Sequence, residues 1–282
     1  MPDYSAGLRI AILDMYEGVE NQGMRCLREI INQFAEANHL PVTVNEYEVR
    51  LRKQVPDLSY DVYISSGGPG SPLESKGSAW EGVYFEWMDS LLNYNADPHN
   101  PVKKELFLIC HSFQLFCRQY GFAEVNKRRS TAFGVFPIHH LDAGSEEPVF
   151  KGLHDPFYVV DSRDYQVVQP GFEKLRTTGA QILALEKARP HVPLERAIMA
   201  IRFSENIIGT QFHPEADAIG MSLYLQRPDK KEMVISNHGF EKWESMITHL
   251  NDRDKIMFTY SHVLPNFLSN ALRITNEASQ PA

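Results

Sequence analysis

The sequence predicts an α/β protein on one doubly wound, mostly parallel sheet with helices on both sides, and three observations carry this. Residues 8–15, LRIAILDM, form a continuous apolar stretch like a strand buried on both faces of a parallel sheet. Met24, Leu27, Ile30, Ile31 and Phe34 then recur at three- and four-residue steps, the single apolar stripe of a helix over 21–37. Residues 60–65, YDVYIS, run straight into a glycine-rich turn, SGGPGSP, as strands of doubly wound sheets do.

The remaining elements follow in order. PVTVNEYEV (41–49) reads as the second strand, before YDVYIS as the third. Residues 79–94 have helical spacing, and the polar, proline-bearing NADPHNPVKKE (95–105) reads as a loop. Residues 106–110 form a strand that turns sharply into a helix over 112–120, with Cys110 at the turn. From 131 to 212, short β-rich runs (FYVV, ILAL, AIMAIRF, IIGTQF) alternate with turn residues, the rest of the same sheet plus a hairpin. After Glu215 the pattern is helical, notably over 240–250 and 262–274, and TNEASQPA (275–282) reads as a frayed tail. The expected organisation is a domain over 1–217 and a helical extension over 218–282 packed on it, across the sheet edge or near the mouth of the site.

Composition narrows the function. A chain of 282 residues with 43% hydrophobic content buries a sizeable core. The formal charge of -8 disfavours a nucleic-acid surface, and Lys127, Arg128 and Arg129 read as a solvated turn. No apolar run is long enough to span a membrane, and the start lacks a signal-peptide pattern, so a cytoplasmic location is expected. Cys26, Cys110 and Cys117 form no C-x-x-C pair, which points to neither a disulfide framework nor a metal site, and no cofactor is expected. Cys117, seven residues after Cys110, reads as core packing.

A thiol at a strand-to-helix turn attacks a carbonyl when a base, a group that orients the base and backbone donors for the oxyanion are also present. His213 and Glu215 in GTQFHPE (209–215) supply the base and its carboxylate, two residues apart at a strand end, with Pro214 stopping the strand. The glycines of SSGGPGSP (65–72) let backbone N–H groups approach a ligand. The N–H of His111, at the helix start, is the natural second donor. Taken alone, Cys110 reads as a buried structural thiol; between the two motifs it reads as a nucleophile.

SGGPGSP, a Cys at a strand end with Gln four residues later, and G-x-Q-F-H-P-E, in that order, resemble the class I glutamine amidotransferase domain of GMP synthetase and anthranilate synthase over roughly residues 8–217. The resemblance implies a flavodoxin-like fold, with Cys110 as nucleophile, His213 as base and Glu215 as its orienting carboxylate. It also implies that Gly68, Pro69, Gly70, His111 and Gln114 hold substrate, and that VVDSRDYQVVQPGF (159–172) brings Ser162 and Arg163 to it. The implied reaction is hydrolysis of the glutamine side-chain amide through a γ-glutamyl thioester, releasing ammonia, with any acceptor synthetase on a separate chain.

The sequence departs from the family pattern G-x-C-x-G-H-Q at three positions, with Leu108, Ser112 and Phe113. Leu108 therefore requires compensating space at the turn. Two other readings stay open: hydrolysis of a different γ-glutamyl compound, and a catalytically silent binding or regulatory protein on the same fold.

Overall fold

The structure, a computed structural model, describes residues 7–191, 193–250, 252 and 255–279. Strand β1 (Leu8–Asp14) exposes Arg9 alone, and it leads to helix α1 (Gln22–Ala37), whose N-cap Asn21 accepts from the Met24 N–H at 2.8 Å. Strand β2 (Val42–Glu48) and the single turn α2 (Val49–Arg52) come next. Strand β3 (Val62–Ser65) precedes α3 (Ala79–Ala96), and β4 (Glu105–Ile109) precedes α4 (His111–Tyr120), which ends at Gly121 in the left-handed conformation that favours glycine.

A long strand, β5 (Ala123–His140), follows, then α5 (Asp142–Ser145), a 3-10 turn and β6 (Phe157–Pro170). The chain continues through α6 (Phe172–Thr178), β7 (Gln181–Glu186), β8 (Ile198–Ser204) and β9 (Ile207–Thr210). It closes with α7 (Ala218–Gln226), α8 (Pro228–His238), α9 (Phe240–Leu250) and α10 (Ile256–Ser279).

The nine strands among the described residues form one sheet in the order β2-β1-β3-β4-β9-β8-β7-β5-β6. The ladders from β2 to β9 are parallel, and those from β9 to β6 are antiparallel. The fold is therefore α/β as the sequence predicts, with an antiparallel half that grows from the β-rich runs after residue 131. Alternate residues of the central strands serve opposite faces, as the two-residue side-chain period requires. Ile10, Ile12, Ile64 and Phe107 pack with α1 and α10. Ala11, Leu13, Tyr63 and Leu108 pack against α3 and α4 through Tyr84, Met88 and Phe116. Each fully buried side chain of this kind contributes roughly 1.5–3 kcal/mol.

Two local expectations are corrected. Lys127, Arg128 and Arg129 lie within β5, where the register with β6 slips between Lys127 and Ala132. The cluster is therefore strand and not a turn: Arg128 bonds to Gln166 at 2.8 Å and to Glu186 at 3.3 Å, while Lys127 and Arg129 are exposed. Residues 275–279, expected to fray, continue α10, while 280–282 fall outside the described residues. Helix α10 covers a sheet face beside α1: Phe267 packs on Phe107 with ring centroids 5.1 Å apart, and Thr259 donates to the Tyr158 carbonyl at 2.6 Å. Val263, Leu264, Leu268 and Ala271 fill that face. Among the described residues, no helix is long and apolar enough to cross a membrane.

Candidate active site

The C-terminal ends of β1, β3, β4 and β9 converge where the strand order reverses, the position at which doubly wound sheets bind ligands. Cys110 sits between β4 and α4 with φ 46° and ψ −95°. A non-glycine residue at positive φ costs on the order of 1–3 kcal/mol and persists only where its surroundings enforce it. Here the Cys110 N–H is bound to the Thr210 carbonyl at 2.8 Å, and the Cys110 carbonyl accepts from the Gln114 N–H at 3.0 Å. The sharp turn holds the thiol off the strand axis at the start of a ten-residue helix.

His213 follows β9 and is tied to β6 through its N–H, 2.9 Å from the Val160 carbonyl. Its Nδ1 is 2.8 Å from Glu215 Oε1, and the ring is close enough to Cys110 for the two side chains to interact electrostatically. Burial alone would push the imidazole down, but the Glu215 carboxylate and the Cys110 sulfur outweigh it and hold His213 well above the usual histidine range. Glu215 is 1% exposed, and a Cβ built on Gly23, in the first turn of α1, would lie 3.3 Å from its Oε1. The start of α1 thus packs closely against the carboxylate.

The glycine turn packs against this group. A Cβ on Gly67 would lie 2.7 Å from His213 Cε1, and one on Gly68 would lie 2.3 Å from the Met15 carbonyl oxygen. Both positions require glycine for close approach. Gly70 has φ 92°, and the Pro69 carbonyl accepts from Arg50 Nη1. Arg118 holds the turn at its other end through the Pro72 carbonyl and is paired with Glu81 at 2.8 Å.

The imidazole of His111 is buried, with Nε2 unpartnered, and lies beside Trp80. Burial, reinforced by Arg50 and Arg118, pushes it down to about 3, so it stays neutral and is no rival base. Its backbone N–H is one of the first donors of α4, which have no acceptor within the helix.

The Ser162 carbonyl lies 3.9 Å from Cys110 Sγ. Arg163, its neighbour, has a side chain only 1% exposed, gripped by both carboxylate oxygens of Asp161 at 2.8 and 3.0 Å and by Glu186 at 3.3 Å. Its guanidinium is thereby spent on the scaffold, which leaves the backbone as the part of Arg163 that can serve the site. Gln114 is buried and donates to the Tyr165 carbonyl at 3.3 Å and to Gln211 Oε1 at 3.1 Å.

The replaced elbow positions each have a local solution. Ser112 donates to the Ser66 carbonyl at 2.7 Å and shares a hydrogen bond with Ser65, which in turn meets the Tyr84 hydroxyl. Phe113 is fully buried against Phe203 and so lies in the core, away from the site.

Sequence reasoning passed over Tyr16, directly after β1. Its hydroxyl lies near Gly23 and Gly67, and burial, then the neighbouring Glu215, push it well above the usual tyrosine range. The signal available was its place at the C-terminal end of a central strand. Gln211 was inside the quoted GTQFHPE motif without being singled out; its amide is 3.6 Å from Cys110 Sγ.

A family model for "Glutamine amidotransferase class-I" matches residues 12–219. Among solved structures, a glutamine amidotransferase from Thermotoga maritima has TM-score 0.66 at 13% identity, covering 94% of this chain and 98% of that one. A glutamine amido transferase from Methylobacillus flagellatus has TM-score 0.52 at 13% identity, covering 98% and 96%. The glutaminase domain of Trypanosoma brucei CTPS with bound acivicin has TM-score 0.52 at 14% identity, covering 74% and 86%. At these identities the likeness shows a shared fold. No curated protein matches the sequence.

Proposed function

This chain belongs to the class I glutamine amidotransferase family, and we propose that it hydrolyses the side-chain amide of glutamine through Cys110, His213 and Glu215. The observation that carries the reading is the strained Cys110 elbow facing an imidazole held by a buried carboxylate. In this reading His213 takes the thiol proton, and Cys110 Sγ attacks the amide carbon. The Gly68 and His111 N–H groups stabilise the oxyanion. The proton then passes from His213 to the leaving nitrogen, ammonia departs, and water cleaves the γ-glutamyl thioester to give glutamate and the free thiol. The Ser162–Arg163 backbone and the turn at Pro69 and Gly70 border the substrate. The partner is either a separate ammonia-accepting chain or none, if the ammonia is simply released.

We read residues 1–217 as the amidotransferase domain and 218–282 as an extension of the same body. Its support is α10, which contributes Val263, Leu264 and Phe267 to the core beneath β4.

The test is glutamate and ammonia release from glutamine by the pure protein and by Cys110→Ala, together with labelling by an electrophilic glutamine analogue. Release by the wild type alone, with a mass shift on the Cys110 peptide, is the expected result. Release from another γ-glutamyl amide, but not glutamine, would keep the triad and change the substrate. Equal rates in the two proteins would remove Cys110 from the mechanism, and no release with no label would leave the fold with a binding or regulatory role.

A further inference from the structure

We propose that Gln211 is a catalytic residue whose side-chain amide donates a hydrogen bond to the Cys110 sulfur and stabilises its thiolate, and that Gln114 is the positioning residue that fixes the direction of that amide. The proposal rests on the reading of Cys110 as the nucleophile.

Gln211 is fully buried at the end of β9, with its backbone N–H bound to the Met199 carbonyl at 2.8 Å. Its Nε2 is 3.6 Å from Cys110 Sγ, a contact of hydrogen-bond length for sulfur. An amide end is an N–H donor or an oxygen acceptor, and the two are told apart by what surrounds them. Here a backbone group decides. The Tyr165 carbonyl can only accept, so the end of Gln114 that faces it, at 3.3 Å, is the NH2. That same NH2 is 3.1 Å from the Gln211 side chain, which must therefore present its oxygen to Gln114. The other end of the Gln211 amide, the one facing sulfur, is then the NH2.

The chain Tyr165 carbonyl, Gln114, Gln211, Cys110 thus has one polarity, set by a carbonyl of β6 and delivered as a donor to the nucleophile. A hydrogen bond to a charged acceptor is stronger than one to a neutral acceptor, so this donor favours the thiolate over the thiol. The Ser162 carbonyl, 3.9 Å from the same sulfur, is an acceptor suited to the S–H. Gln211 is therefore a donor to the charged sulfur, and Ser162 is the acceptor on offer to the neutral one. Because the Gln211 amide is buried, it does not exchange this bond for one with water.

The test is the pH dependence of Cys110 alkylation by iodoacetamide, followed by peptide mass, in wild type, Gln211→Met, Gln211→Glu and Gln114→Met. It needs no glutamine. In the wild type Cys110 is alkylated in a pH-dependent manner; a wild type whose Cys110 resists the reagent at every pH would overturn the nucleophile reading itself. Gln211→Met, which keeps volume and removes the donor, shifts the alkylation profile up by about one pH unit, so that labelling below the midpoint is about tenfold slower. Gln211→Glu, isosteric and able to place a second anion against the sulfur, shifts it further. Gln114→Met frees the Gln211 amide to turn and gives a smaller shift of the same sign. Reactive Cys110 with superimposable profiles in the wild type and either folded Gln211 variant would overturn the proposal and leave the nucleophile reading standing.

Discussion

Leu108 and Gly209 face each other in the parallel ladder between β4 and β9, and a Cβ on Gly209 would lie 3.2 Å from the Leu108 Cβ and 2.6 Å from the Phe113 ring. The space that Leu108 requires beside the elbow is left open by the neighbouring strand. Because Leu108, Phe113 and Phe203 are all buried at 3% exposure or less, none can swing outward to admit an added methyl. Gly209→Ala is expected to lower stability by about 1–3 kcal/mol in urea unfolding. Trimming Phe113 to Leu in the same chain is expected to recover part of that loss, a coupling that independent sites would not show. Additive losses in the double variant would argue against the packing described.

The hydroxyl of Ser112 ties the start of α4 to the glycine turn through the Ser66 carbonyl and Ser65. The whole group is buried, so removing the hydroxyl leaves the carbonyl without a replacement partner. Ser112→Gly restores the residue type of the family pattern, yet it is expected to cost about 1–3 kcal/mol and to lower kcat by loosening the turn. Unchanged urea midpoints and rates would show that the turn holds without this link.

These two positions also mark where the sequence was legible. Continuous apolar strands, the α1 stripe and the ordered motifs around Cys110 and His213 have local periodicity or fixed spacing, so they could be read in one dimension. The compensation at Gly209, the Ser112–Ser65–Tyr84 link and the arginine grips of Arg50 and Arg118 on the turn join residues 19 to 101 positions apart. No local pattern encodes such pairings. The antiparallel half was underestimated for the same reason: β5 includes a bulged, charged stretch between Lys127 and Ala132 that has no strand periodicity, and only the residues on either side of it pair with β6.

Gly67 offers a test that separates the site from the fold. Its backbone is not in the left-handed region, so alanine introduces no conformational strain, but the new methyl would meet His213 Cε1 at 2.7 Å. Gly67→Ala is expected to unfold within about 1 kcal/mol of the wild type while losing at least tenfold in kcat, as the imidazole is displaced from Cys110. Full activity in this variant would place the working imidazole elsewhere than beside Gly67.

Glu105, the first residue of β4, is 4% exposed and is pushed up to about 7, chiefly by burial, against the opposing effects of the Asn206 side chain and the Arg202 charge. A carboxyl raised in the folded state binds its proton more tightly there than in the unfolded chain. Its contribution to stability is therefore complete below its ordinary value of 4.5 and is lost as pH rises through about 7. That displacement corresponds to at most about 3 kcal/mol. His213, raised, adds a loss of the same sign, and His111, lowered, adds the opposite, so the wild-type profile alone does not isolate Glu105. The difference from Glu105→Gln does, since glutamine keeps an acceptor for Asn206 and cannot ionise. The two proteins are expected to have similar urea midpoints near pH 5 and to diverge towards pH 8, where Glu105→Gln is the more stable. Parallel profiles across that window would mean that Glu105 ionises in the folded protein as it does in the unfolded chain.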